Sequence, residues 1–132
     1  MKRYLLDTNI CIYFLKGQFD LDRKIEKVAL SNCYVSEITV AELKFGAQNS
    51  ENQEKNGKTV DQFVSKFTII PIFNSLDVYA REKARLKKKD LPLDDFDLLI
   101  GATAISNNLT LVTRNVSDFE MLKGIEMENW VD

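Results

Sequence analysis

The chain has no histidine, and among its 132 residues only two cysteines, two prolines and one tryptophan. Without histidine, a nucleophile activated by imidazole is excluded, so any hydrolysis must rely on carboxylates or on a metal ion. Cys11 and Cys33 form no CxxC pair and sit among apolar residues such as Ile10, Ile12 and Val35. Free buried thiols are therefore expected, rather than zinc or redox chemistry. No apolar run approaches the roughly 20 residues of a membrane span. The opening Met1-Lys2-Arg3-Tyr4-Leu5-Leu6 meets Asp7 too soon for a signal peptide. The expectation is a cytoplasmic protein with no membrane partner, folded as one domain over residues 1–132. A domain of that size buries about two-thirds of its unfolded surface.

The formal net charge of −2 gives no case for general nucleic-acid affinity. Its distribution is uneven. Arg81, Lys83, Arg85, Lys87, Lys88 and Lys89 face only Glu82, whereas Asp118, Glu120, Glu126, Glu128 and Asp132 face only Lys123. The basic run is either a solvated helix face or a phosphate-contacting patch.

Short apolar runs alternate with helical patterns along the whole chain. Tyr4-Leu5-Leu6, Cys33-Tyr34-Val35, Thr68-Ile69-Ile70 and Thr110-Leu111-Val112 read as strands, with a last one near Glu126-Met127-Glu128. Pro71 puts the third strand towards an end or an edge. Helices are expected from Asp7-Thr8-Asn9 to Gly17, after Ser36, through Val60 to Phe67, over about 76–89 and from Asp94 or Asp95 to Ser106. In the helix after Ser36, the spacing puts Ile38, Ala41, Phe45 and Gln48 along one side, in a largely buried element, with Glu42 beside them. Residues 50–59 are either a loop or the start of the next helix. Such alternation predicts an α/β fold, three layers α/β/α, around a central, mainly parallel sheet of four to five strands.

Acids stand at the borders of these apolar segments. Asp7 ends the first strand, Glu42 and Asp97 lie on helices, and Thr113, Arg114 and Asn115 end the fourth strand. Ligands of open parallel sheets bind at the carboxyl ends of the strands, where these residues converge. Carboxylates gathered without counter-charge favour a divalent cation with oxygen ligands, and such a site can polarise a phosphodiester. Each residue also has a plainer reading. Asp7 can simply cap a helix, Glu42 can be solvated, and Asp94, Asp95 and Asp97 can all serve a helix dipole. Asp94 is the expected N-cap and Asp97 the expected ligand. Thr8 and Thr113 can hydrogen-bond a carboxylate or cap locally. Asn9 and Asn115 can orient a ligand or water, and Asp118 can support the site or start a short helix. Lys44 and Arg114 are either RNA contacts or surface charge. Segments 10–15 and 63–67 are either core or an apolar patch for self-association or a protein partner.

Taken together, Leu6-Asp7-Thr8-Asn9, the segment from Ile38 to Gly46, Asp97-Leu98-Leu99-Ile100-Gly101-Ala102-Thr103-Ala104 and Leu111-Val112-Thr113-Arg114-Asn115 resemble PIN domains of the VapC toxin type. Asp118-Phe119 and Asn129-Trp130 resemble that family's C-terminal end. The resemblance implies a Mg²⁺-dependent endoribonuclease, with Mn²⁺ able to substitute, that forms a homodimer and is held inactive by a VapB-type antitoxin. It implies structured RNA, commonly tRNA, as substrate, with inhibition of translation and growth as the outcome. By family pattern Asp7, Glu42 and Asp97 carry over as catalytic, metal-binding acids, with Thr113 in support. One position departs: Asn115 stands where many members carry a fourth acid, which bears on whether a second metal ion binds.

Two other classes fit parts of the pattern. A receiver-like signalling domain also pairs an acidic pocket with a threonine, but needs adjacent N-terminal acids and a late lysine. A catalytically silent PIN-like scaffold binding RNA or protein needs none of the acids, yet Asp7, Glu42 and Asp97 are all present.

Overall fold

The computed structural model describes residues 1–132. Five strands form one sheet: β1 (Tyr4–Leu6), β2 (Cys33–Ser36), β3 (Thr68–Ile70), β4 (Thr110–Val112) and β5 (Glu126–Glu128). Their order is β3-β2-β1-β4-β5, and every neighbouring pair is parallel. The helices are α1 (Thr8–Leu15), α2 (Leu21–Val28), α3 (Glu37–Gln48), α4 (Gln53–Val64), α5 (Leu76–Lys88), α6 (Asp95–Ser106) and the single turn α7 (Val116–Phe119). Residues 53–59 therefore belong to α4 rather than to a loop. Asn52 starts that helix, its side chain accepting from the Lys55 N–H at 3.3 Å.

The sheet is sandwiched because its central strands are apolar on both faces. Leu5, Leu6, Leu111 and Val112 are wholly buried. Successive side chains point to opposite faces, so Leu6 and Val112 join Ile10 of α1, Ile25 of α2 and Phe63 of α4 on one side. Leu5 and Leu111 join Leu86 of α5, Leu98 and Ile100 of α6 and Phe119 on the other. Phe63 anchors the first layer, 5.6 Å from the Phe14 ring and 4.7 Å from that of Phe67. Segments 10–15 and 63–67 are thus chiefly core, with Ile10, Cys11, Phe63 and Phe67 buried. Both cysteines are free and buried. Pro71 directly follows β3, an edge strand, where no ladder bond is lost.

One expectation about α3 is corrected. Its buried side is Ile38, Thr39, Leu43 and Ala47, while Ala41, Phe45 and Gln48 are exposed and Glu42 is half-buried. The helix lies across the margin of the core, so its outer face is free to border a cleft. The sheet order also sets the chain apart from receiver-like domains, whose doubly wound sheet runs 2-1-3-4-5.

Candidate active site

Strand order reverses between β1 and β4, and the crevice outside the carboxyl ends of those two strands is where open α/β sheets bind ligands. The residue that leaves β1 there is Asp7, and the one that leaves β4 is Thr113. The Asp7 N–H donates to the Val112 carbonyl at 3.0 Å, which ties the two strand ends together. Asp7 is extended and caps α1, one carboxylate oxygen accepting from the Thr8 N–H at 2.8 Å. Its other oxygen accepts from the Thr113 hydroxyl at 2.9 Å. The capping and the site-forming readings of Asp7 thus coexist in one geometry.

A second network holds Glu42. The Thr8 hydroxyl donates to Glu42 Oε1 at 2.7 Å and lies 2.9 Å from the Thr39 hydroxyl. Thr39 is wholly buried and stands one helical turn before Glu42 on α3, the spacing at which helix side chains meet. Asp97 lies in the first turn of α6, behind Asp94, whose side chain caps that helix by accepting from the Phe96 N–H at 3.2 Å.

Asp7, Thr8, Asn9, Glu42, Asp94, Asp97 and Asn115 all line one cavity of about 700 Å³, with Ile12, Ala41, Phe45 and Phe96 completing its wall. Four of the lining residues are carboxylates and none is basic. Burial raises the Asp97 carboxyl from its ordinary 3.8 to about 6, with the charges of Asp7, Asp94, Glu42 and Asp118 adding to the effect. Burial also raises Asp7, while its bonds from Thr113 and Thr8 pull in the other direction. Negative charge is therefore concentrated here without protein compensation. No three acidic side chains close into a ready-made cage. Asp7, Glu42, Asp94 and Asp97 are the residues that could hold a divalent cation, since Mg²⁺ takes as few as one or two protein carboxylates and keeps several waters.

The other candidates fall outside the cavity. Arg114 pairs with Asp132 at 3.2 Å and stacks over the Tyr13 and Phe19 rings. Lys44 is exposed on α3. Asp118 sits exposed in α7, close enough for its charge to raise Asp97 but not lining the cavity. Of the basic run, Arg85 and Arg81 pair with buried Glu82 at 2.8 and 3.8 Å and Lys83 bonds Asp95, while Lys87, Lys88 and Lys89 are exposed. Sequence reasoning passed over Thr39, Phe45 and Phe96 as site residues. The signal for Thr39 was its position three residues before Glu42 on the same helix.

A parallel five-stranded α/β domain with acids gathered at its switch point is the architecture of a PIN domain, and the PIN-domain family model matches residues 4–123. Ribonuclease VapC2 of Rickettsia felis is 36% identical over 96% of this chain and 97% of its own length. The tRNA(fMet)-specific endonuclease VapC of Salmonella typhimurium is 31% identical over 98% and 99%. Among solved structures, DNA-bound VapBC of Salmonella typhimurium superposes with a TM-score of 0.91 at 31% identity, covering 98% of this chain and 99% of that one. The chain belongs to the VapC family of PIN-domain proteins.

Proposed function

We propose that this chain is a Mg²⁺-dependent endoribonuclease toxin, with Mn²⁺ able to substitute, that hydrolyses phosphodiester bonds in structured RNA. The observation that carries this reading is the single cavity lined by Asp7, Glu42, Asp94 and Asp97 at the switch point of the sheet. The Salmonella relative, named for tRNA(fMet), favours tRNA as the substrate class. Solved relatives occur as VapBC complexes, which favours a VapB-type antitoxin as the partner that restrains this chain. A homodimer acting in the cytoplasm on RNA needed for translation completes the proposal. No helix is long and apolar enough to cross a membrane.

Asp7 and Asp97 would hold the ion, directly or through water, with Glu42 completing its surroundings or orienting the attacking water. When bound, such an ion supplies Lewis-acid chemistry, offsetting charge on the phosphoryl oxygens and acidifying water. Thr8 and Thr113 fix the two Asp7 oxygens in position, and each of those oxygens keeps a free lone pair for ligation. The Thr8 hydroxyl holds Glu42 Oε1, which leaves Oε2 to accept a proton or a water hydrogen bond. Asn115 brings a carbonyl but no charge, which weighs against a second ion. Water activated in this way needs no histidine, which accords with a chain that has none.

The test is cleavage of total RNA by purified, antitoxin-free protein. Wild type is expected to cut with Mg²⁺ or Mn²⁺ and to stop on EDTA addition, while folded Asp7→Asn cuts nothing. Intact RNA with wild type, or equal cutting by Asp7→Asn, would leave a silent binding scaffold as the better reading. Growth arrest on expression, relieved by the same substitution, tests the toxin assignment.

A further inference from the structure

Two phenylalanines stand in solvent beside the carboxylates. Phe45 is 67% exposed and Phe96 is 47% exposed, and both line the acidic cavity. They arrive from different helices. Phe45 follows Glu42 by one turn of α3, which puts both on the same helix face. Phe96 directly precedes Asp97 in the first turn of α6.

Electrostatics makes their position meaningful. No lysine or arginine lines this cavity, and its four carboxylates repel a phosphate backbone. Only a bound cation and uncharged contacts can hold a polyanion there. An aromatic face is the uncharged contact that suits nucleic acid, because every unpaired base offers a π-face for stacking regardless of sequence. Bases inside a duplex are already stacked and cannot use it.

Resting on the ribonuclease reading above, we propose that Phe45 and Phe96 are positioning residues, each stacking an unpaired base next to the phosphate that is cut. The pair places that phosphate over the carboxylates and restricts cleavage to unstacked nucleotides. Each lost stack is expected to weaken RNA binding about 5- to 150-fold.

The experiment first maps the cut site in total RNA. A short unpaired RNA of that sequence is then made with 2-aminopurine on either side of the cut phosphate. Phe45→Leu and Phe96→Leu keep an apolar side chain at exposed positions and remove only the ring. Each is expected to raise KM far more than it lowers kcat, and Trp at the same position to restore KM. On the inactive Asp7→Asn background, binding is expected to quench one 2-aminopurine through Phe45 and the other through Phe96. Annealing the complementary strand is expected to abolish cleavage. If wild type cuts RNA and both Leu variants match it in KM and quenching, the stacking role falls and the nuclease reading stands. Leu variants that cut normally but escape inhibition by a co-expressed antitoxin overturn it too, and assign the rings to a protein partner. If wild type cuts and binds no RNA, both readings fall together.

Discussion

The Thr113 hydroxyl donates to Asp7 Oδ2 at 2.9 Å, joining the ends of the two central strands through side chains 0% and 3% exposed. The same hydroxyl accepts from the Asn115 N–H at 3.0 Å. Thr113→Val keeps the shape and leaves Asp7 Oδ2 and the Asn115 N–H without this partner. A cost of about 1–3 kcal/mol is expected from one buried and one part-buried loss. Burial raises the Asp7 carboxyl and this bond offsets part of the rise, so its removal shifts the acid limb of the cleavage profile to higher pH. If Asp7 holds the ion as proposed, activity at neutral pH is expected to fall ~10-fold or more. Thermal unfolding and pH–rate profiles check both parts, and Thr113→Ser should restore them.

On α5, Glu82 is a buried charge that does not line the site. It is 1% exposed, accepts from Arg85 at 2.8 and 3.1 Å and from the Lys123 N–H at 2.7 Å, and so ties α5 to the segment after α7. The Arg85 hydrogen bonds lower its pKa below the ordinary 4.5. A depressed carboxylate stabilises the fold above its unfolded pKa, and that contribution is lost as pH falls through the folded value. Glu82→Gln is expected to cost about 2 kcal/mol at pH 7, less than a wholly buried pair because the Arg85 side chain is 20% exposed. Urea unfolding at pH 7 and at pH 3.5 should show the difference between wild type and variant shrinking in acid.

Gly101 marks where α6 meets the C-terminal segment. A Cβ there would overlap Leu122 Cδ1 and touch Phe119 at 3.4 Å, and both neighbours are fully buried. Gly101→Val should therefore overpack this contact and cost about 1–3 kcal/mol. Gly46→Ala, in α3 with open space around its Cβ position, is expected to stabilise by roughly 1 kcal/mol through helix propensity alone. Paired denaturation curves decide both.

The first four strands were legible because each is a short, largely apolar run bounded by a capping residue or turn, and Asp7, Asp94 and Ser36 proved to be caps as their types suggest. The convergence of Asp7, Glu42 and Asp97 was legible from strand ends and helix starts. The outer face of α3 was not. Ala41 and Phe45 have the i, i+4 spacing of a buried stripe, but the core takes Thr39 and Leu43 instead. A polar threonine hides a buried stripe, and an apolar ring placed at a cleft imitates one. Arg114 shows a second limit: its ion pair with Asp132 depends on where the residues after β5 pack, Trp130 lying against Tyr4, which local pattern does not encode.

Asp97 offers a test of the site that is independent of RNA. Its carboxyl rises from 3.8 to about 6, chiefly through burial and then through Asp7, Asp94 and Glu42. A raised carboxyl favours the fold in its protonated form, so its contribution is present below about pH 4 and disappears as pH climbs through about 6. In EDTA, wild type should therefore gain stability relative to Asp97→Asn as pH falls from 7 to 5. At pH 7 the variant should be the more stable by about 1–2 kcal/mol, a figure reduced for the solvent that reaches this half-buried group. Adding Mg²⁺ or Mn²⁺ should raise the unfolding temperature of wild type and release protons, because the cation competes with protonation for the same oxygens. Asp97→Asn should respond far less. Equal responses of the two proteins to the cation would remove Asp97 from the metal site, whatever the RNA assay shows.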